Sequence, residues 1–227
     1  MDYKLKYLKY KFKYLQLKED YKFNLKGGSN NFITELKKLY PASKHDNVSL
    51  HDKYNGHKIT YGEMDYDGFD DVIKYLSFTN SISFDCFIDI GSGRGKICIY
   101  ASSLPSIKQS IGIELVKERH DDAIELKSKL KDYSEVLKVN LINDNIFNYD
   151  FKQLKSSKTL IWLSNLIFEQ KTTDDIFRKI LNESQNETFI VCSKSHTLND
   201  NRIKEINKIK VKMSWDNNSL VHCYKIN

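Results

Sequence analysis

The stretch Phe87-Ile88-Asp89-Ile90-Gly91-Ser92-Gly93-Arg94-Gly95-Lys96 constrains this chain more than any other. An apolar run feeds closely spaced glycines and then a helical pattern over Ile97–Leu104. A strand that enters a helix this way belongs to open α/β sheets, whose ligands bind beyond the carboxyl ends of the strands. Glycine lets the backbone turn sharply there and lets a ligand come close. The spacing is GxGxG, not the GxGxxG of dinucleotide folds, and GxxxxGK[ST] is absent, so a pyrophosphate cradle loses ground. Taken alone, the motif also suits a plain strand-to-helix turn.

The pattern that follows is regular. Phe84–Ile90, Ser110–Glu114, Val136–Ile142, Thr159–Ser164 and Thr188–Ser193 are short apolar runs that predict buried strands. Helical patterns such as Lys117–Asp132 and Thr173–Glu183 lie between them, which predicts a parallel sheet with helices on both faces. Lys208–Trp215 and Leu220–Ile226 flank the turn-rich Asp216-Asn217-Asn218-Ser219 and predict a closing hairpin. At 227 residues, 40% hydrophobic and 29% charged, the chain has enough material for one well-filled core. It shows no apolar run of the length a membrane span needs, about 18 residues, and no apolar signal-peptide core. Cys86, Cys98, Cys192 and Cys223 stand far apart, with neither CxxC nor zinc-ligand spacing. They are expected to be reduced thiols of an intracellular protein, and no metal site is expected.

Charge is concentrated at one end. Residues 1–26 hold eight lysines against Asp2, Glu19 and Asp20, so +5 of the net +6 lies ahead of Gly27-Gly28. Leu5, Leu8, Phe12 and Leu15 recur at helical spacing within them, predicting a basic amphipathic helix. Such a helix either docks on the domain or on another copy, or meets nucleic acid, a nucleosome or a partner helix. Residues 27–57 are expected to form a linker and lead-in, and 58–227 the main domain. His45, His51 and His57 fall in a polar loop and are expected to be solvated.

Acids close the next two strands. Glu114 ends the second, about 20 residues past the glycines, where a carboxylate accepts the hydroxyls of a ribose. Asp144 follows the third, where an acid can accept from an adenine amino group. Glycine turn, ribose acid and adenine acid together describe an adenosine site without a phosphate cradle, and S-adenosylmethionine fits it. The fourth strand runs into Ser164-Asn165-Leu166-Ile167-Phe168 with no proline after Pro105. That excludes the proline-rich turn of base-amino methylases and the Pro-Cys nucleophile of cytosine-carbon methylases.

Tyr61-Gly62-Glu63, Phe87–Lys96, Gly112-Ile113-Glu114, Asp144, Asn165 with Phe168, Ile190–Lys194 and Ser214-Trp215 occur in an order that resembles the Dot (disruptor of telomeric silencing) family. These are non-SET lysine methyltransferases acting on the globular core of histone H3. The resemblance covers roughly residues 58–227. It implies a class I (Rossmann-like) methyltransferase fold: an α/β, seven-stranded, mostly parallel sheet with a C-terminal antiparallel hairpin, behind the basic N-terminal helix. It also implies that Tyr61, Gly62 and Glu63 cover the cofactor, while Asp89, Gly91 and Gly93 hold its amino-acid end and Lys96 makes a further cofactor contact. Glu114 would take the ribose, and Asp144 with Asn145 the adenine. Ser164 or Asn165 would make a further cofactor contact, and Asn165, Phe168 and Trp215 would border a lysine channel. His222 falls where a channel tyrosine is expected, and Tyr224 lies two residues on, on the same strand face. Lys96 stands in place of a glutamine, Ser164 of an asparagine and Asn145 of an adenine-stacking phenylalanine.

The expected activity is S-adenosylmethionine-dependent methylation of a protein lysine, which the resemblance places on nucleosomal histone H3, with DNA gripped through the basic segment. A methyltransferase for RNA or a small molecule, and a non-catalytic scaffold, are the alternatives. Phe168 and Trp215 also suit core aromatics, and His222 a structural strand histidine. The Lys-, Asn-, Ile- and Tyr-rich, proline-poor composition matches an AT-rich genome, such as that of a protist or a large DNA virus. The expected location is the nucleus or, if viral, the host compartment where the virus replicates.

Overall fold

The computed structural model describes residues 30–40, 62–80, 82–156, 158–185 and 187–226. The expected basic helix, the histidine loop and Tyr61 lie outside them. The elements in order are α1 (Asn30–Leu39), α2 (Tyr66–Asn80), β1 (Cys86–Ile90), α3 (Lys96–Ala101), β2 (Gln109–Glu114), α4 (Lys117–Ser128), β3 (Val139–Asn143), β4 (Lys158–Leu163), α5 (Gln170–Glu183), β5 (Glu187–Cys192), β6 (Ile203–Val211) and β7 (Ser219–Ile226). The strands form one seven-stranded sheet in the order β3-β2-β1-β4-β5-β7-β6. The first five are parallel, and β7 runs antiparallel to both β5 and β6. This is the expected α/β architecture, closing hairpin included.

Strand order reverses beside β1, so crossovers leave to both faces and a crevice opens at the carboxyl ends of β1 and β4. Alternating side chains of β1 split between two cores. Phe87 enters one, with Leu160, Trp162, Phe189 and Val221, beneath helices α1 to α4. Ile88 and Ile90 enter the other, with Ile161, Ile190, Tyr224 and the α5 residues Ile176, Phe177 and Ile180. The central strands are buried on both faces, which is why they read as continuous apolar runs. Phe32 and Leu36 of α1 are fully buried in the first core, so a helix from the expected lead-in helps complete the domain. All four cysteines are free and buried, and burial pushes the thiols of Cys86 and Cys223 up to about 12. Among the described residues no helix is long and apolar enough to cross a membrane.

Two expected strands are displaced. Val136 to Lys138 belong to a 3-10 turn ahead of β3. β6 covers Ile203–Val211, not Lys208–Trp215, which leaves Trp215 in the loop between β6 and β7. The cause is a register irregularity between Glu205 and Asn207. The half-buried residues Ile203, Ile206 and Ile209 stand three apart, and this break in register accommodates them without the period-two signature of a strand.

Candidate active site

The glycine motif forms a tight hook at the sheet edge. Gly91, Gly93 and Gly95 all hold positive φ (81°, 53° and 75°), a region costly for side chains with a Cβ. The amides of Gly91 and Ser92 both donate to the Ile113 carbonyl on β2, at 2.9 and 3.1 Å. Gly93 N–H donates to Glu114 Oε2 at 2.7 Å, and Val116 N–H to Glu114 Oε1 at 2.8 Å. Glu114 thus ties the ends of β1 and β2 together. Its burial pushes the carboxyl up to about 7 against the pull of these backbone donors. Tyr40, just past α1, braces the hook from outside by donating its hydroxyl to the Arg94 carbonyl at 2.6 Å.

Beneath the hook lies Asp89. It is buried, and its Oδ1 has no hydrogen-bond partner among the described residues. Burial, reinforced by the neighbouring Glu114 charge, pushes this carboxyl up to about 8. Alongside, Lys96 Nζ and Glu63 Oε2 form a buried ion pair at 2.8 Å. Native proteins seldom leave a buried carboxylate oxygen unpaired, so a donor absent from the chain itself belongs there. The ammonium of an amino acid suits Asp89, and its carboxylate suits Lys96. The residues present therefore fit the amino-acid end of S-adenosylmethionine.

Asp144 and Asn145 shape the turn after β3. Asp144 Oδ1 accepts from Asn145 N–H at 2.6 Å and from Asn148 Nδ2 at 2.7 Å. Asn145 Oδ1 accepts from Phe147 N–H at 3.1 Å and so caps a short 3-10 turn. That turn presents Phe147 at the sheet edge with 43% of its surface exposed, an aromatic the sequence reading passed over.

A second loop pair covers the first core's side of the crevice. Ser214 N–H donates to the Glu63 carbonyl at 2.8 Å, and Glu63 N–H donates to Ser214 Oγ at 3.0 Å. Met64 and Met213 bridge, and Asp65 N–H reaches the Lys212 carbonyl at 3.2 Å. The Trp215 ring lies on Gly62, where a Cβ would sit 2.3 Å from the indole. This glycine is required by the close approach of the ring, and the approach explains why Tyr-Gly-Glu and Ser-Trp occur in one chain. Trp215 thus stands on a loop against Gly62, one of the residues expected to cover the cofactor.

At the end of β4, Asn165 is fully buried and fully engaged. Its Oδ1 accepts from Lys194 N–H at 2.9 Å, and its Nδ2 donates to the Lys194 carbonyl at 2.8 Å and to Thr173 Oγ1 at 3.2 Å. Lys194 Nζ reaches back to the Phe168 carbonyl at 2.7 Å. Lys194 thereby becomes the strut that fixes the Asn165–Phe168 loop, a part the sequence did not indicate. Phe168 is half-buried against the second core, and Ser164 N–H bonds the Ile90 carbonyl at 3.4 Å.

His222 and Tyr224 share a face of β7, as their spacing predicts, and that face looks toward α5. Tyr224 is buried in the second core, edge-on to Phe177 and close to His196. His222 sits opposite Cys192 at the end of β5, with Nδ1 2.9 Å from Glu205 Oε1. The structure therefore gathers Glu63, Asp89, Gly91, Gly93, Lys96 and Glu114 around one floor, and sets Asn165, Phe168 and His222 along the carboxyl ends of β4 and β5.

Comparison with known proteins places the chain in a family and identifies its fold. Residues 40–222 match the family described as histone methylation protein DOT1. A Caenorhabditis elegans protein named histone-lysine N-methyltransferase, H3 lysine-79 specific, is 27% identical over 150 residues, covering 63% of this chain and 16% of that protein. The chain therefore matches only a small part of that relative's length. Among solved structures, magnesium protoporphyrin IX methyltransferase from Synechocystis PCC 6803, with bound S-adenosylmethionine, superposes with a TM-score of 0.53 at 12% identity, over 88% of this chain and 93% of that one. A plantazolicin methyltransferase in complex with S-adenosylhomocysteine gives 0.52 at 14% identity, over 85% and 93%. These two establish a shared fold. The match along 40–222 covers most of the chain and identifies it: it belongs to the histone methylation protein DOT1 family.

Proposed function

We propose that this chain is an S-adenosylmethionine-dependent lysine N-methyltransferase whose substrate is a core histone, most fittingly H3, presented on the nucleosome. The observation that carries the reading is the buried Asp89 carboxyl with its unpartnered oxygen beside the Lys96–Glu63 pair, under a glycine hook closed by Glu114. Membership of the family and the C. elegans relative's name support the histone substrate.

Asp89 would hold the ammonium of the cofactor and Lys96 its carboxylate, with Glu63 keeping Lys96 aimed. Glu114 would turn one oxygen to the ribose, and Asp144, on the turn that Asn145 caps, would face the adenine amino group. Tyr61 and Gly62 would close over the cofactor. When bound, the cofactor supplies a methyl group already activated on sulfonium, so the chain's task is positioning and exclusion of water. Phe168 and Trp215 would wall the lysine channel, where apolar surroundings disfavour the ammonium form and release the nucleophilic amine. Asn165, locked to Lys194, would set the channel's rim without bending, and Ser164 would line the cofactor side.

Transfer of radiolabelled methyl to reconstituted nucleosomes, free histones, RNA and small amines tests this. Label on H3 within nucleosomes is the expected result. Label on RNA or small amines alone overturns the substrate, and failure to bind S-adenosylhomocysteine overturns the activity.

A further inference from the structure

The hairpin of β6 and β7 places a carboxylate against a histidine through a break in its strand register. In a regular strand, residues three apart face opposite sides. Here Glu205 pairs with Tyr224 and Lys208 with His222, and the irregularity between Glu205 and Asn207 absorbs one extra residue. Glu205 and Lys208 consequently share the face of His222 and Tyr224. Bulges that re-aim a side chain recur beside active sites. The result is a 2.9 Å contact between Glu205 Oε1 and His222 Nδ1, with Lys208 Nζ 3.8 Å from the same oxygen. The imidazole lies nearly parallel to the Tyr224 ring, 7° between planes, and is 13% exposed.

A carboxylate at Nδ1 holds the neutral imidazole in its Nδ1–H tautomer and leaves the Nε2 lone pair free. His222 pairs in register with Cys192; two residues on, Lys194 is bonded to Asn165 at the rim of the crevice, while Ser193 N–H donates to the Leu163 carbonyl at the end of β4. We infer that Glu205 and His222 form a proton-accepting dyad for the amine substrate, with Glu205 the positioning residue and His222 Nε2 the acceptor. This rests on the lysine methyltransferase reading above. The step is a proton transfer: an N–H bond of the substrate ammonium breaks, its electron pair stays on nitrogen as the nucleophilic lone pair, and the proton joins Nε2. The imidazolium is balanced by the Glu205 carboxylate and returns its proton to water after turnover. The groups around it are Glu205 and Lys208 from β6, Tyr224 from β7, Cys192 from β5 and His196 from the following loop, itself near Asp174 of α5.

The test uses the full chain, S-adenosylmethionine and reconstituted nucleosomes. Long-range nitrogen–proton NMR of His222 at pH 8 should show hydrogen on Nδ1 and none on Nε2. Glu205→Gln should lose that fixed tautomer, lower kcat about tenfold, move the acid limb of the kcat–pH profile to lower pH, and leave S-adenosylhomocysteine affinity unchanged. Glu205→Asp should recover part of both the rate and the profile, and His222→Ala should cost on the order of a hundredfold in kcat. Hydrogen on Nε2 in the native chain, or transfer by Glu205→Gln with native rate and profile, overturns the dyad alone. Bound cofactor without methyl transfer to any lysine substrate overturns the activity reading, and the dyad with it.

Discussion

Asp89 and Glu114 sit side by side at the strand ends, and burial raises both carboxyls, to about 8 and about 7. A carboxyl raised in the folded state binds more protons there than in the unfolded chain, where Asp titrates near its ordinary 3.8. Its contribution to stability is therefore fully present below about pH 4 and is lost as pH rises through about 8. Asp89→Asn, which cannot ionise, should accordingly melt higher relative to the native chain at pH 8.5 than at pH 5, without cofactor. An unchanged difference would show that Asp89 is not protonated in the folded state. The same residue predicts a binding signature. An ammonium placed on Asp89 favours its charged form, so binding of S-adenosylhomocysteine near pH 7 should release protons. Calorimetry in buffers of different ionisation enthalpy reads this directly, and the release should shrink in Asp89→Asn. For Glu114→Gln, affinity for S-adenosylhomocysteine should fall by about 1.5–3 kcal/mol, the usual worth of a hydrogen bond to a charged group. Native affinity in that variant would reduce Glu114 to a clamp on Gly93 and Val116.

At the level of elements, the two loops that cover the crevice depend on one glycine. A Cβ on Gly62 would meet the Trp215 ring at 2.3 Å, so Gly62→Ala must push the indole off its seat. The chain has two tryptophans, and Trp162 is buried in the sheet. Changed emission and greater acrylamide quenching in Gly62→Ala would therefore report Trp215. Unchanged quenching would mean that the ring does not rest there in solution. This contact also marks how far the sequence could be read. Gly91, Gly93 and the acids at strand ends were legible because their roles are local: each follows from one strand, one turn and the period of its neighbours. The Trp215–Gly62 seat, the Lys194 strut under Asn165 and the Glu63–Lys96 pair join residues distant along the chain, and only the register of the sheet brings them together. β6 was misplaced for a related reason. It is the edge strand, with Lys204, Lys208 and Lys210 exposed along it, and its irregular register removes the alternation that marks a half-buried strand.

On the scale of the whole molecule, charge and chemistry are segregated. Residues 1–26 carry +5 of the net +6, which leaves +1 for residues 27–227, where every candidate site residue lies. A near-neutral catalytic domain has little general attraction for a polyanion, so affinity for nucleosomal DNA is expected to reside in the basic segment. A chain beginning at Ser29 should bind S-adenosylhomocysteine as the full chain does, because Asp89, Lys96 and Glu114 are untouched. Its affinity for DNA should fall. Releasing counterions from about five phosphates gives the full chain a slope of log affinity against log salt steeper by about 4.5 than that of the shortened chain. Fluorescence anisotropy with a labelled duplex at several salt concentrations measures both slopes. Equal slopes would assign the segment to docking or self-association, a role its apolar residues Leu5, Leu8, Phe12 and Leu15 would also serve. With unequal slopes, methylation of nucleosomes should lose its salt sensitivity on removal of residues 1–28, while methylation of free histones keeps its native rate.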